Sequence, residues 1–298
     1  MELLKTDSLD AAVRKLFGDG LRIAGKAPVH GGDINRAYRL SLSDGSAVFM
    51  KCNAVRNLSF FTAEARGLAA LRGAGAIGVP KALALGTDQA QGISFLLMEY
   101  LEPAPRSRRY WETFGRELAA LHRAAVPVQG DLPFGFASDN YIGASPQKNT
   151  PAADWRTFFR DCRLLPQMKM AEGYFDAGTR RQCERVLERL DSYLEEPEFP
   201  SLLHGDLWSG NAVCGPDGKA WIIDPAAYVG HFEAELAMTE LFGAFPAAFY
   251  EAYHEVNPIG AGYRDRRDLY NLYHLLNHLN LFGGSYLGSV RRIVSRYA

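Results

Sequence analysis

Leu203-His204-Gly205-Asp206-Leu207-Trp208-Ser209-Gly210-Asn211, followed by Ile222-Ile223-Asp224-Pro225, is the stretch on which the fold reading turns. It presents a carboxylate, an amide five residues later and a second carboxylate thirteen beyond that. Phosphoryl-transfer sites use this order of groups: an acid takes the proton of the attacking hydroxyl, an amide holds magnesium, and a later acid binds magnesium at the phosphates. Short apolar runs, Leu202-Leu203 and Trp221-Ile222-Ile223, read as strands. Asp206 then lies just beyond one strand and Asp224 ends another, so both carboxylates and Asn211 are expected to converge. Magnesium takes hard oxygen ligands and usually keeps several waters. Asn211 and Asp224 are suited to supply such oxygens, which leaves Asp206 to orient and deprotonate the attacking oxygen. Asp or Asn alone commonly caps a turn; the three in this order point to phosphotransfer.

Working back toward the N-terminus, Leu21 to Val29, Ala37 to Leu42 and Ala47 to Cys52 read as a three-stranded meander, preceded by a helix from Leu9 to Phe17. Between the first two strands, Gly31-Gly32-Asp33-Ile34-Asn35 offers glycines that let backbone amides approach an anion, here a phosphate. Lys51 closes the apolar run Ala47-Val48-Phe49-Met50, and Glu64 follows thirteen residues on, at the border of the apolar face of a helix from about Leu58 to Leu71. In kinases a strand lysine contacts the α- and β-phosphates and is held by a helix glutamate, and Lys51 with Glu64 fits that pair. Gly73-Ala74-Gly75-Ala76-Ile77-Gly78 matches the dinucleotide-binding pattern, but a helix precedes it and Val79-Pro80 follows. That motif needs a strand before and a helix after, so the segment reads as a loop.

Ala82 to Leu85 and Ile93 to Met98 complete an expected five-stranded antiparallel sheet, which runs through Glu99-Tyr100-Leu101 into Glu102-Pro103-Ala104-Pro105. A boundary near residue 101 gives two lobes: residues 1–101, ATP-binding, and 102–298, catalytic and substrate-binding. The second reads as mainly helical, with helices at Tyr110 to Ala125, Trp155 to Met170 and Thr179 to Leu194. The fold class is α+β, two-lobed and protein-kinase-like. Residues 131–146, rich in Gly, Pro, Asn and aromatics, form an ordered loop. A carboxylate pair, Glu233 and Glu235, opens a later helix, where acids favour the N-terminus.

At 298 residues the chain can bury substantial cores, and 47% hydrophobic with 22% charged content is that of a globular protein. A formal charge of −1 argues against a nucleic-acid partner. The start lacks the character of a secretory signal, and no apolar run reaches a membrane span, so a cytoplasmic location and no membrane partner are expected. Cys52, Cys162, Cys183 and Cys214 are far apart and are expected to be free thiols, mostly buried.

The filling and continuation of the central stretch carry a resemblance. His204-Gly205-Asp206-Leu207-Trp208-Ser209-Gly210-Asn211 with Asp224-Pro225-Ala226-Ala227 resembles the fructosamine kinase, or ketosamine-3-kinase, family, in the aminoglycoside-phosphotransferase branch of the kinase-like fold. Asp139-Asn140-Tyr141-Ile142-Gly143 with Pro146-Gln147, Asp154-Trp155 and Arg163-Leu164-Leu165-Pro166 resemble further family signatures. The resemblance implies transfer of the ATP γ-phosphoryl group to O3 of a ketosamine, a fructosamine or ribulosamine adduct of an amine or a protein lysine, leading to deglycation. It implies Asp206 as base, Asn211 and Asp224 on Mg2+, Lys51 with Glu64 on the phosphates, and Glu99 and Leu101 at the adenine hinge. Trp208 is the candidate substrate residue, since an indole face suits the apolar face of a sugar or a nearby ammonium. A kinase of another hydroxyl (aminoglycoside, choline or sugar) and a nucleotide-binding pseudokinase are the alternatives, and either a monomer or a homodimer is compatible.

Overall fold

Alternation along short strands builds the first part of the molecule. The computed structural model describes residues 3–29, 35–126 and 131–298. These form two compact units: Met1–Tyr110 with Ala212–Pro225, and Trp111–Asn211 with Ala226–Ala298. The segment Ala212–Pro225 thus groups with the N-terminal residues, across the linear division at residue 101.

The first unit contains β1 (Leu4–Thr6), α1 (Leu9–Phe17), β2 (Ile23–Val29), β3 (Arg36–Leu42), β4 (Ala47–Ala54), α2 (Leu58–Gly73), β5 (Ala82–Asp88) and β6 (Ile93–Glu99). Ser8 caps α1 by accepting from the Ala11 N–H. The inward residues of the strands, Leu40, Leu42, Val48, Met50, Cys52, Phe95 and Leu97, bury with Leu9, Ala12 and Val13 of α1 in one core. Sheet order is β1-β5-β6-β4-β3-β2, antiparallel except that β1 pairs parallel with β5. The sheet therefore has six strands, which corrects the five-stranded expectation. A three-residue strand carries too little alternation to be read locally. Its pairing depends on Gly86, where a Cβ would stand 1.8 Å from the Thr6 carbonyl oxygen.

The second unit contains α3 (Tyr110–Arg123, of which Tyr110 belongs to the first), the hairpin β7 (Asn140–Ile142) and β8 (Ser145–Gln147), α4 (Trp155–Phe159), α5 (Leu165–Met170), α6 (Ala177–Glu188) and β9 (Ser201–Leu203). A π-helical turn, Arg160–Leu164, joins α4 to α5. The chain passes through β10 (Ala212–Cys214) and β11 (Ala220–Ile222), a hairpin of the first unit. It returns as β12 (Tyr228–Gly230), α7 (Phe232–Leu241), α8 (Ala247–Val256), α9 (Tyr263–Phe282) and α10 (Leu287–Tyr297). The segment expected to be an ordered loop, residues 131–146, contains most of a small hairpin. Arg266 is buried and grips Glu233 through two hydrogen bonds of 2.8 and 2.6 Å. The four cysteines are free, and all but Cys214 are buried. Among the described residues no helix is long and apolar enough to cross a membrane.

Two buried histidines of the second unit tie its stability to pH. Burial, followed by the charge of Arg266, lowers His231 to about 3, and burial, followed by His278, lowers His274 to about 3. Their folded pKa values lie below the unfolded value of about 6.5, so between these limits the unfolded chain binds more protons. The stability they confer is complete above about pH 6.5 and is lost as pH falls. Each is expected to remove about 2 kcal/mol between pH 7 and pH 5. Denaturant titrations at the two pH values check this, and an unchanged midpoint would contradict it.

Candidate active site

Within the first unit, Lys51 sits on β4, flanked in register by Ala37 of β3 and Leu96 of β6. Its ammonium donates to Glu64 Oε1 on α2 at 2.6 Å and to Asp224 Oδ1. Burial opposes the charge on Lys51, but the two carboxylates outweigh it and hold the ammonium pKa above its ordinary value. Asp224 arrives from β11, which the loop after α2 secures: the Ile222 N–H donates to the Gly78 carbonyl at 2.9 Å. Asp224 is the one non-glycine residue with positive φ among those described, at 59°. Asp tolerates this left-handed conformation better than most side chains, at a cost of about 1 kcal/mol or more. Its side chain keeps 38% exposure, so one carboxylate oxygen faces Lys51 while the group remains open to a ligand.

Within the second unit, β9 pairs antiparallel with β12 and delivers the chain into His204-Gly205-Asp206. Gly205 has φ 84°, and a Cβ there would meet the Ala226 carbonyl oxygen at 2.2 Å, so only glycine fits this turn. Asn211 donates from Nδ2 to the Asp206 carbonyl at 2.8 Å and to Asp206 Oδ2 at 3.2 Å. The amide closes the loop on its own acid and keeps its oxygen for another partner. That oxygen in the second unit and the Asp224 carboxylate in the first are each a hard donor of the kind that magnesium takes.

The loop is fastened by an acid that the local sequence marks only as a helix-terminal residue. Glu235, buried on α7, accepts the His204 N–H at 3.0 Å and the Gly205 N–H at 2.7 Å, and faces His122 Nε2 at 2.9 Å. Burial opposes its ionisation. The His122 contact and the His204 N–H prevail and hold Glu235 below the usual carboxylate range. His204 itself accepts the Asp206 N–H at Nδ1, 3.3 Å away.

The segment after Pro225 has a second clasp. Gln147 donates to the Ala226 carbonyl at 2.9 Å and Asn140 to the Ala227 carbonyl at 2.8 Å, with Tyr273 donating to Gln147 Oε1 at 2.6 Å. Asn149 donates to Asn140 and accepts from Arg163, whose guanidinium is fully buried 3.9 Å from the Tyr228 ring centroid. The described residues place aromatic faces and carbonyl oxygens around Arg163. Asn140, Gln147 and Arg163 stood out in the sequence without a role, and this network supplies one.

Trp208 is 37% exposed, and its ring lies across Gly210, where a Cβ would come within 2.4 Å of it. Glu99 ends β6, and its carboxylate accepts the Lys81 N–H at 2.8 Å and faces Arg72 at 3.4 Å. Its own N–H donates to the Lys81 carbonyl at 3.0 Å, so side chain and backbone together tie the end of β6 to the residue that precedes β5. Leu101 lies two residues on and is half-buried. Gly31 and Gly32 fall outside the described residues. Lys51, Glu64 and Asp224 are thus brought together in one unit, and Asp206 and Asn211 in the other.

A buried strand lysine held by a helix glutamate beneath a mainly antiparallel sheet defines a kinase-like phosphotransferase fold. The amicoumacin kinase hAmiN, solved with AMP-PNP, Ca2+ and Ami, shares that fold at 14% identity and a TM-score of 0.57, covering 91% of this chain and 87% of its own. Nearer relatives narrow the class. The chain belongs to the fructosamine kinase family, whose model matches residues 6–298. It is 41% identical to the probable ketoamine kinase slr1563 of Synechocystis over 95% of this chain and 94% of that protein. The chloroplastic protein-ribulosamine 3-kinase of Oryza sativa subsp. indica is 40% identical over 94% of this chain and 80% of its own length. The crystal structure of a proposed fructosamine-3-kinase from Haemophilus somnus 129PT superposes with a TM-score of 0.85 at 29% identity, covering 97% and 96% of the two chains.

Proposed function

We propose that this protein transfers the γ-phosphoryl group of ATP to the O3 hydroxyl of ketosamines, initiating deglycation of amines or protein lysines. The observation that carries the phosphotransfer is Lys51 clamped between Glu64 and Asp224. The ketosamine rests on family membership and on the relatives' names. Lys51, held by Glu64, contacts the phosphates, with the backbone amides of Gly31 and Gly32 covering them and the backbone of Glu99 and Leu101 at the adenine. Residues 1–101 act as the ATP-binding lobe and 102–298 as the mainly helical catalytic one, in the cytoplasm. Asn211 and Asp224 hold Mg2+, which when bound neutralises charge on the phosphates. Asp206 accepts the O3 proton as the new O–P bond forms and the bond from the γ-phosphorus to the bridging oxygen breaks, releasing ADP. Trp208 lies against the sugar.

The test is ATP consumption with a panel of ribulosamines, fructosamines, aminoglycosides, choline and free sugars, with the phosphorylated position assigned by NMR. Turnover of ketosamines at O3 is expected. Turnover confined to the other acceptors, or none at all, would overturn the reading.

A further inference from the structure

Trp208 is one end of a connected series of rings, all within the second unit. Its indole meets Phe242 edge-on at 6.5 Å, and Phe242 stacks on His278 at 4.4 Å with 15° between planes. His278 in turn meets the edges of Phe282 at 5.3 Å and Tyr286 at 5.1 Å. The series is not part of the buried core: Phe282 is 52% exposed and Trp208 37%, while Phe242, His278 and Tyr286 are half-buried. On α9, Leu272, Leu276 and Leu279 are buried, whereas His278 and Phe282, one turn apart, carry the series outward.

A sugar is lined with hydroxyls that need hydrogen-bond partners, and the rings beyond Trp208 offer mainly faces and edges. His278 Nδ1 has no hydrogen-bond partner among the described residues. Burial lowers His278 to about 4, so near neutral pH its ring adds no positive charge. Such rings suit the other half of a ketosamine: the secondary ammonium, attracted to ring faces, and the apolar carbon that follows it.

We propose that Phe242, His278, Phe282 and Tyr286 extend the Trp208 site into a shelf for the amine-bearing half of the ketosamine, selecting amines whose nitrogen-bearing chain is apolar and carries an aromatic group. This rests on the ketosamine reading above and adds to it which adducts are preferred. The occupant is continuous with the sugar at Trp208, which places its first atoms over Phe242 and its carrier over Phe282 and Tyr286.

The experiment compares two probes that share one sugar, the ribulosamine of Nα-hippuryl-lysine and the ribulosamine of glycine, in the full-length protein and in Phe282→Ala and Phe282→Ala/Tyr286→Ala. The native protein is expected to favour the hippuryl adduct in kcat/KM. The double substitution is expected to shrink that ratio about fivefold or more, as loss of aromatic contacts worth about 1 kcal/mol requires. Thermal midpoints close to native would tie the change to binding. A ratio that stays at the native value in both variants, or a native protein that prefers the glycine adduct, overturns the shelf while leaving ketosamine phosphorylation standing. Failure to phosphorylate either adduct, with ATP hydrolysis or another acceptor detected, overturns the ketosamine reading and the shelf with it.

Discussion

Asp206→Asn is expected to lower kcat for ketosamine phosphorylation by about 10²- to 10⁴-fold, the range that a positioned general base supplies. The substitution keeps the side-chain shape and keeps an oxygen that can accept from Asn211 Nδ2, now 3.2 Å from Asp206 Oδ2. The Asp206 carbonyl still receives the other Asn211 bond at 2.8 Å, and the Asp206 N–H still reaches His204. The loop therefore retains its closure, and the thermal midpoint and the KM for ATP are expected to stay close to native. What disappears is the capacity to take a proton, because a carboxamide is not protonated near neutral pH. Steady-state kinetics with saturating ATP and a ribulosamine provide the measurement. A variant that keeps kcat within about threefold would remove Asp206 from the chemistry and reopen the pseudokinase reading.

Glu235→Gln carries the second large effect, for a different reason. The native carboxylate takes two backbone N–H groups and faces His122, all of them buried. A glutamine amide has one oxygen, so its NH2 group must oppose at least one donor. The unmet N–H is expected to cost about 1–3 kcal/mol. His204 and Gly205 immediately precede Asp206, so the loop shifts with them, and a displacement of about 1 Å at the reacting oxygen costs on the order of 10²-fold in rate. Glu235→Ala is expected to be worse, about 3–5 kcal/mol, because both N–H groups and His122 Nε2 then lose the carboxylate. Thermal melts together with kcat decide the matter. Asp206→Asn loses rate and keeps stability, whereas the Glu235 variants lose both, and Glu235→Gln with native kcat and a native midpoint would show that the clamp is dispensable.

The candidate site was the most legible part of the sequence. Asp206, Asn211 and Asp224 announce themselves by spacing, and Lys51 with Glu64 by lying at the end of an apolar strand and on the border of a helix face. The pairing of Lys51 with Glu64 is found at 2.6 Å. Five strands of the sheet follow from alternation and turn residues. β1 does not, because three residues cannot show a period and its partner β5 lies about eighty positions away. Glu235 was visible only as an acid at a helix start, a position that helix electrostatics already explains, so nothing local marked its grip on the loop.

The sequence by itself determined which groups are present, their order along the chain and the local elements that carry them, since helix and strand periods and covalent spacing act over short stretches. Only the tertiary structure decided that Asp224 meets Lys51 across 173 positions. It also decided that Glu235 holds the loop thirty residues before it, and that Arg163 lies buried among aromatic rings. Such contacts are set by which packed arrangement pairs most of the buried donors and charges, and that condition acts on the folded chain as a whole.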